Sequence, residues 1–390
     1  MGALTSLGLS VQESWEGMVA GRSGISTITL FDASDLPIRI AGELKGFDVT
    51  EYLDIKEARR MARSSHLALA AGIQAMADAG LGDQVPNPER AGVVMGTGIG
   101  GFDAGLEGWD TYKTKGLRRV NPFTAMALLC NMPAHHLSLR YQCQAYNSTV
   151  VTACASGTQG IGEATEAIRR GAADLMLAGG THTMIHPFGV TGFNLLTALS
   201  TNNANPQGAS RPFDRNRDGF VLGEGAAMVV LEELERARGR GAKIYGEIVG
   251  YGSTADAFRI TDAHPEGRGA IAVDEELELG LARLVVDVEI GHAGDLRHHV
   301  AHLIRGLLEH VVVGPADVHG DGVVAPRVLD AREHHGEARL RHVLEDLRAD
   351  DVLEVEEVLR PRPLGHGAEA PARDVRIALV ADRGVHGDEA

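Results

Sequence analysis

The run Ser148-Thr149-Val150-Val151-Thr152-Ala153-Cys154-Ala155-Ser156-Gly157-Thr158-Gln159-Gly160 carries an apolar, β-branched segment straight into a cysteine and then into small residues. β-Branched residues suit a pleated strand, and the spacing beyond the cysteine predicts a helix over 157–170. A thiol at that junction meets unpaired backbone N–H groups and the positive end of the helix dipole. Both favour the thiolate, which is the nucleophilic form of sulfur. Ala155, Ser156 and Gly157 keep bulk away, so an extended thioester can reach the sulfur. A free cysteine is also a common small core residue, and this turn alone leaves both readings open.

Outward from the turn, short apolar runs alternate with longer helical patterns. Strands are predicted at 91–95, 148–152, 174–178, 226–231 and 244–249. Helices are predicted at 11–20, 57–79, 122–140, 157–170 and 231–239. This alternation predicts an α/β layered fold with helices covering the sheet. Many of the 49 glycines punctuate strand ends, as in Gly96-Thr97-Gly98-Ile99-Gly100-Gly101.

Composition narrows the function. A net charge of −16 argues against nucleic acid as a partner, because phosphate contacts need clustered cations. An acidic partner would need a local basic stretch such as Lys113, Lys115, Arg118 and Arg119, although a short charge run is commonly just a solvated face. Cys130 lies in an apolar helical pattern and Cys143 in a short connection, so both read as core residues. Three cysteines with no CxxC pair make no disulfide framework. No run of 18 apolar residues occurs, and no basic start leads into an apolar core. The expected location is therefore the cytoplasm, without a membrane span.

Thr152-Ala153-Cys154-Ala155-Ser156-Gly157 resembles the nucleophile turn of the elongating β-ketoacyl-[acyl carrier protein] synthases. Val93 to Gly101 resembles the strand and glycine loop near their acyl pocket, and Leu177-Ala178-Gly179-Gly180 the strand after their nucleophile helix. Ala198-Leu199-Ser200, Ser210-Arg211-Pro212-Phe213-Asp214 and Arg217-Asp218-Gly219-Phe220-Val221-Leu222-Gly223-Glu224-Gly225-Ala226 follow the family's blocks in order. The resemblance covers about residues 1–270 and separates the elongating from the initiating branch. It implies a thiolase-like fold of two similar α/β halves in α-β-α-β-α layers, assembled as a homodimer, with no cofactor. It also implies that Cys154 accepts an acyl group from acyl carrier protein. A malonyl group on the carrier would then lose CO₂, and its carbanion would attack the acyl-enzyme. Ile99 and Phe193 fall where the family lines its acyl tunnel, positions equally compatible with plain core. Other readings stay open: a catalytically incomplete member, a non-catalytic partner subunit, or a thiolase acting on coenzyme A thioesters. Cys154 counts against the partner subunit, and the 217–226 block counts against the thiolase.

Residues 271–390 read differently. They hold no Lys, Ser, Thr, Asn, Gln, Phe, Tyr, Trp, Met or Cys, yet carry eleven of the 17 histidines. Apart from four Ile, the types present are those encodable by codons beginning with G or C, which a GC-rich gene gives when read out of frame. An out-of-frame reading is therefore the expectation, with a low-complexity acidic extension as the alternative. Ordinary codon usage in this frame across the junction would overturn it. Leu340–Leu347 and Val352–Leu359 have helical spacing, but 120 positions without an aromatic residue argue against a packed core. The family's histidine and lysine motifs do not occur; His292 and His319 have the wrong neighbours, and no lysine follows Lys243. His298, His299 and His302 could share a helical face, but in so histidine-rich a stretch they are not read as a metal site. At the other end, Met1 to Gly8 looks like the family's first loop. The opening strand is therefore expected to be missing, which would leave backbone groups of its neighbour unpaired.

Overall fold

Side-chain alternation along Leu175–His182 sets the layers: Leu175 and Leu177 enter one apolar core, Met176 and Ala178 another. Successive strand residues point to opposite faces, so a strand apolar on both must be covered on both. The computed structural model describes residues 1–259, 262–273 and 376–381. Among these residues the strands are β1 (Gly2–Leu4), β2 (Ser26–Thr27), β3 (Ile40–Ala41), β4 (Ala91–Gly96), β5 (Asn147–Val150), β6 (Leu175–His182), β7 (Gly225–Glu233), β8 (Lys243–Glu247) and β9 (Ile377–Ala381). The main sheet runs β5-β4-β6-β7-β9-β8, with β1 also on β7; β2 and β3 pair separately. β4 lies parallel to β5 and β6, and β7 turns antiparallel to β6.

The helices Arg63–Asp78 and Met132–Tyr141 cover one face of the sheet, with Leu67, Met76 and Leu137 packed on Val93, Leu175 and Met228. The helix Ser156–Arg169 covers the other, with Ala164, Ala167 and Ile168 on Val94, Met176 and Leu231. Leu67 and Met176 are fully buried, each stabilising the fold by about 1.5–3 kcal/mol on transfer from water. The result, among the described residues, is one sheet between two helix layers: helices cover the sheet as the alternation predicted, and the layers make up the α-β-α part of the α-β-α-β-α arrangement that the resemblance implies. A smaller core of Ile38, Ile40, Val190 and Leu199 sits under β2 and β3.

Several predicted boundaries move. The segment 122–140 holds two helices, Thr124–Ala127 and Met132–Tyr141, because Pro133 has no N–H for a continuous ladder and instead sits in the first turn of the second. The segment 57–79 likewise divides, into Ile55–Ala58 and Arg63–Asp78. β7 runs on to Glu233, whose carboxylate accepts the N–H groups of Glu235 and Arg236 and starts the helix Leu234–Gly239 there. At the start of the chain Gly2–Leu4 forms a three-residue strand paired with Ala226–Met228. Farther along the same edge, Leu231–Glu233 pairs with Ile377–Leu379 of β9. The tail's other features, including Leu340–Leu347, Val352–Leu359, His292, His298, His299, His302 and His319, lie outside the described residues.

One buried carboxylate ties the region after β3 together. Glu43 accepts hydrogen bonds from the Thr29 N–H (2.8 Å) and hydroxyl (2.7 Å), the Leu30 N–H (3.0 Å) and the Lys45 ammonium (3.1 Å). Burial by itself would raise its pKa, but the Thr29, Leu30 and Lys45 donors outweigh it and hold the carboxyl below its ordinary value. A depressed carboxyl stabilises the fold fully above its unfolded pKa and loses that contribution as pH falls through the folded value. Glu43→Gln is therefore expected to lower Tm at neutral pH. Its gap from wild type should shrink on acidification below about pH 4.3, the ordinary Glu range, in thermal melts from pH 7 to 3.

Candidate active site

The strand β5 ends at Val150, two residues before a sharp turn. Ala153 sits at φ 50°, a left-handed conformation costing a non-glycine residue about 1–3 kcal/mol. The turn is held by Ser156, which is buried. Its hydroxyl accepts the Thr152 N–H at 2.8 Å and lies 2.8 Å from the Ala153 carbonyl and 3.1 Å from that of Thr97, donating to one of them. Through this clamp the short 3-10 turn Ala153–Ala155 leads into the helix Ser156–Arg169 with Cys154 exposed. Ser156→Ala leaves the Thr152 N–H without its partner. A loss of about 1–3 kcal/mol in chemical denaturation is expected, together with slower alkylation of Cys154 by iodoacetamide as the turn relaxes.

Glycines bring the helix this close to the sheet. A Cβ on Gly96 would fall 2.1 Å from the Ser156 carbonyl oxygen, and one on Gly180 would fall 3.1 Å from the Gly157 Cα. Gly96 at the end of β4 and Gly180 within β6 thus form the seat on which the cysteine turn rests.

Cys154 opens onto a cavity of about 990 Å³, lined mainly by apolar atoms. Ile99, from the loop after β4, and Phe193, from the helix Pro187–Leu195, line the same cavity, so the three site residues read from sequence converge on one space. Both are half-buried, and Phe193 also packs edge-on against Phe220 at 5.5 Å between ring centres. Cys143 is buried, and burial pushes its thiol up to about 12; Cys130 is half-buried. All three cysteines are free.

Sequence reading passed over two polar groups at this cavity. His182 ends β6 and lines it, its ring fitting over Gly98, where a Cβ would lie 2.9 Å from Cε1. Burial holds His182 below the usual imidazole range, against the opposing pull of Asp103. Asp103 is itself raised by burial, with the Thr183 hydroxyl at 3.4 Å. The period-two rule would have placed His182 on the same face as Gly180, above the cysteine turn. Glu224 also reaches the cavity wall. It takes a two-pronged hydrogen bond from Arg63 (2.7 and 2.8 Å) and the Leu44 N–H (2.9 Å), tying the start of β7 to the helix Arg63–Asp78. Among the described residues, no group of three or more His, Cys, Asp or Glu could hold a metal ion, and no helix is long and apolar enough to cross a membrane.

The thiol thus sits on a strand-to-helix turn beside an apolar cavity, on a mixed sheet. A ketosynthase structure from Burkholderia phymatum superimposes with a TM-score of 0.63 at 33% identity, covering 71% of this chain and 69% of that one. A ketosynthase solved in complex with its type II polyketide acyl-carrier protein does so with a TM-score of 0.62 at 29% identity, covering 71% and 67%. The model of the β-ketoacyl synthase N-terminal domain matches residues 1–237. The chain belongs to the β-ketoacyl synthase family. It is 46% identical over 270 residues to the 3-oxoacyl-[acyl-carrier-protein] synthase 2 of Synechocystis, covering 69% of this chain and 65% of that protein. It is 44% identical over 275 residues to that of Vibrio cholerae, covering 70% and 66%. The chain thus spans about two thirds of the length of these curated relatives.

Proposed function

We propose that this protein elongates acyl chains by decarboxylating condensation, with Cys154 as the acyl acceptor. The observation that carries the reading is the exposed Cys154 sulfur at the mouth of an apolar cavity able to house an acyl chain. Sγ attacks the thioester carbonyl of an acyl carrier protein; the new S–C bond forms, the old one breaks, and the carrier thiol leaves with the proton. Malonyl-carrier then loses CO₂, its carbanion attacks the acyl-enzyme carbonyl, and the Cys154 thiolate departs as the 3-oxoacyl-carrier forms. Ile99 and Phe193 face the acyl chain in this reading.

Carrier docking is supported by charge. Lys113 and Lys115 close the helix Phe102–Lys115, and Arg118 and Arg119 follow in the next turn; all four are exposed around Leu117, itself 75% exposed. A cationic patch with an apolar centre suits an acidic carrier protein and raises its on-rate. Assembly as a homodimer and residence in the cytoplasm belong to the same proposal. So does the division at residue 270, with the remainder an out-of-frame reading rather than the family's second half.

Intact-mass measurement after mixing with acyl-carrier protein, then with malonyl-carrier protein, tests the reading. An adduct on Cys154 followed by 3-oxoacyl-carrier supports it in full. An adduct without product restricts it to the acyl-transfer half-reaction, and no adduct overturns it.

A further inference from the structure

The cavity beside Cys154 is apolar over most of its wall, so each polar side chain on that wall needs a partner. Most find one within the protein. The Thr5 hydroxyl is hydrogen-bonded to that of Ser14 (2.8 Å) and accepts the Leu7 N–H (3.1 Å). The Thr97 hydroxyl accepts the Gly100 N–H at 3.1 Å, and that of Thr181 donates to the Ser64 carbonyl at 2.9 Å. Ser156 is committed to the cysteine turn, and Glu224 to Arg63 and the Leu44 N–H. Cys154 aside, that leaves His182. Among the described residues its imidazole makes no hydrogen bond.

The ring nevertheless has a prepared place. A Cβ on Gly98 would fall 2.9 Å from its Cε1, 3.0 Å from Nδ1 and 4.0 Å from Nε2. Glycine at that position leaves the room the ring occupies, and Nε2 is the nitrogen farther from the loop. His182 and Gly98 each stand two residues beyond Gly180 and Gly96, which pair in register between β6 and β4. His182 thus shares a face with Gly180, about 7 Å farther along the strand. Gly180 is where the cysteine helix rests, so the imidazole stands one pleat repeat from that seat.

The chemistry of the wall narrows what this group can bind. Burial disfavours the imidazolium and Asp103 opposes that only in part, so the ring is neutral, with one N–H donor and one acceptor nitrogen. No Lys or Arg lines the cavity among the described residues, so nothing there suits a carboxylate. A neutral oxygen fits both requirements. We propose, on the footing of acyl transfer to Cys154, that His182 is a specificity group: it hydrogen-bonds a hydroxyl or oxo oxygen on the first few carbons of the acyl chain, so that the site favours oxygenated acyl groups over plain hydrocarbon ones. Against a plain chain the imidazole stays unpaired in an apolar wall, which is costly; an oxygen on the chain relieves it. A few polar groups in an otherwise apolar pocket are what fix a ligand's orientation and identity.

A competition tests this. Full-length protein receives equal amounts of octanoyl- and 3-hydroxyoctanoyl-carrier protein for a limiting time. Intact mass then measures the two adducts on Cys154, which differ by one oxygen. Both chains ride the same carrier, so docking cancels from the ratio. Wild type is expected to favour the hydroxylated chain by about 2- to 10-fold, the net strength of one hydrogen bond. In His182→Leu the ratio is expected to fall to parity. In His182→Gln, which keeps a donor and an acceptor, it should stay above that of the leucine variant. Each ratio is taken within one protein, so a loss of folded material does not change it. Equal labelling by wild type, or a preference that survives His182→Leu, overturns the role of His182 while acyl transfer to Cys154 stands. No adduct from either chain overturns acyl transfer itself, and the role of His182 with it.

Discussion

Full-length protein carrying Cys154→Ala is expected to gain no acyl mass from acyl-carrier protein, under conditions where wild type gains one acyl group. Without a nucleophile there is no covalent intermediate, and the loss should be on the order of 10⁴-fold or more. Cys154→Ser should fare little better, because a hydroxyl without an adjacent base is a poor nucleophile at neutral pH. The loss can be assigned to chemistry, not to unfolding: Cys154 is exposed and lies outside the cores, so stability should stay within about 0.5 kcal/mol of wild type. The other thiols provide the internal control. Burial keeps Cys143 protonated, with its thiol pushed up to about 12, and Cys130 is only half-exposed. Limiting iodoacetamide should therefore label the Cys154 peptide first. An acyl adduct surviving in Cys154→Ala, or mapped to Cys130 or Cys143, would overturn the assignment.

Much of this site was legible because its signals are local. The β-branched run before Cys154 and the small residues after it dictate strand, turn and helix within a dozen positions. Ile99 and Phe193 came from the resemblance, and the cavity that unites them with Cys154 could not have come from periodicity, since stretches far apart in the chain supply its walls. The positive φ of Ala153 left no trace in composition, alanine being an unusual choice where glycine or asparagine is favoured. Glu224 was visible only as a letter in a motif; its meaning depends on Arg63, 161 positions earlier in the chain. β9 was the hardest to see. Ile377-Ala378-Leu379-Val380 is a short apolar run, which periodicity cannot distinguish from a helical fragment, and it lies in a stretch whose composition discouraged any structural reading. Its partner β7 lies more than a hundred residues away, so pairing, and not propensity, makes it a strand.

The glycines at the strand ends allow the strongest structural prediction. Gly96 is the last residue of β4, and its missing side chain is the space occupied by the start of the cysteine helix. A Cβ there would meet the Ser156 carbonyl oxygen at 2.1 Å, the Ser156 carbonyl carbon at 2.2 Å and the Gly157 nitrogen at 2.6 Å. All three are backbone atoms, so no side-chain rotation can relieve the contact. Ordinary overpacking of a core costs about 1–3 kcal/mol because neighbours yield. Here the helix itself must move, so Gly96→Val is expected to cost at least about 3 kcal/mol in urea denaturation and to abolish acylation of Cys154. Gly96→Ala should show the same defect more mildly, because even one carbon falls inside the contact. The matched control is Gly239→Ala, where a Cβ meets nothing within 4 Å and alanine is the better helix former. That variant should melt at or slightly above the wild-type temperature and keep full Cys154 reactivity. If Gly96→Val folded normally and still accepted an acyl group, the close seat of the helix on β4 would not be what presents the cysteine. The glycine at the end of β4 would then need another explanation.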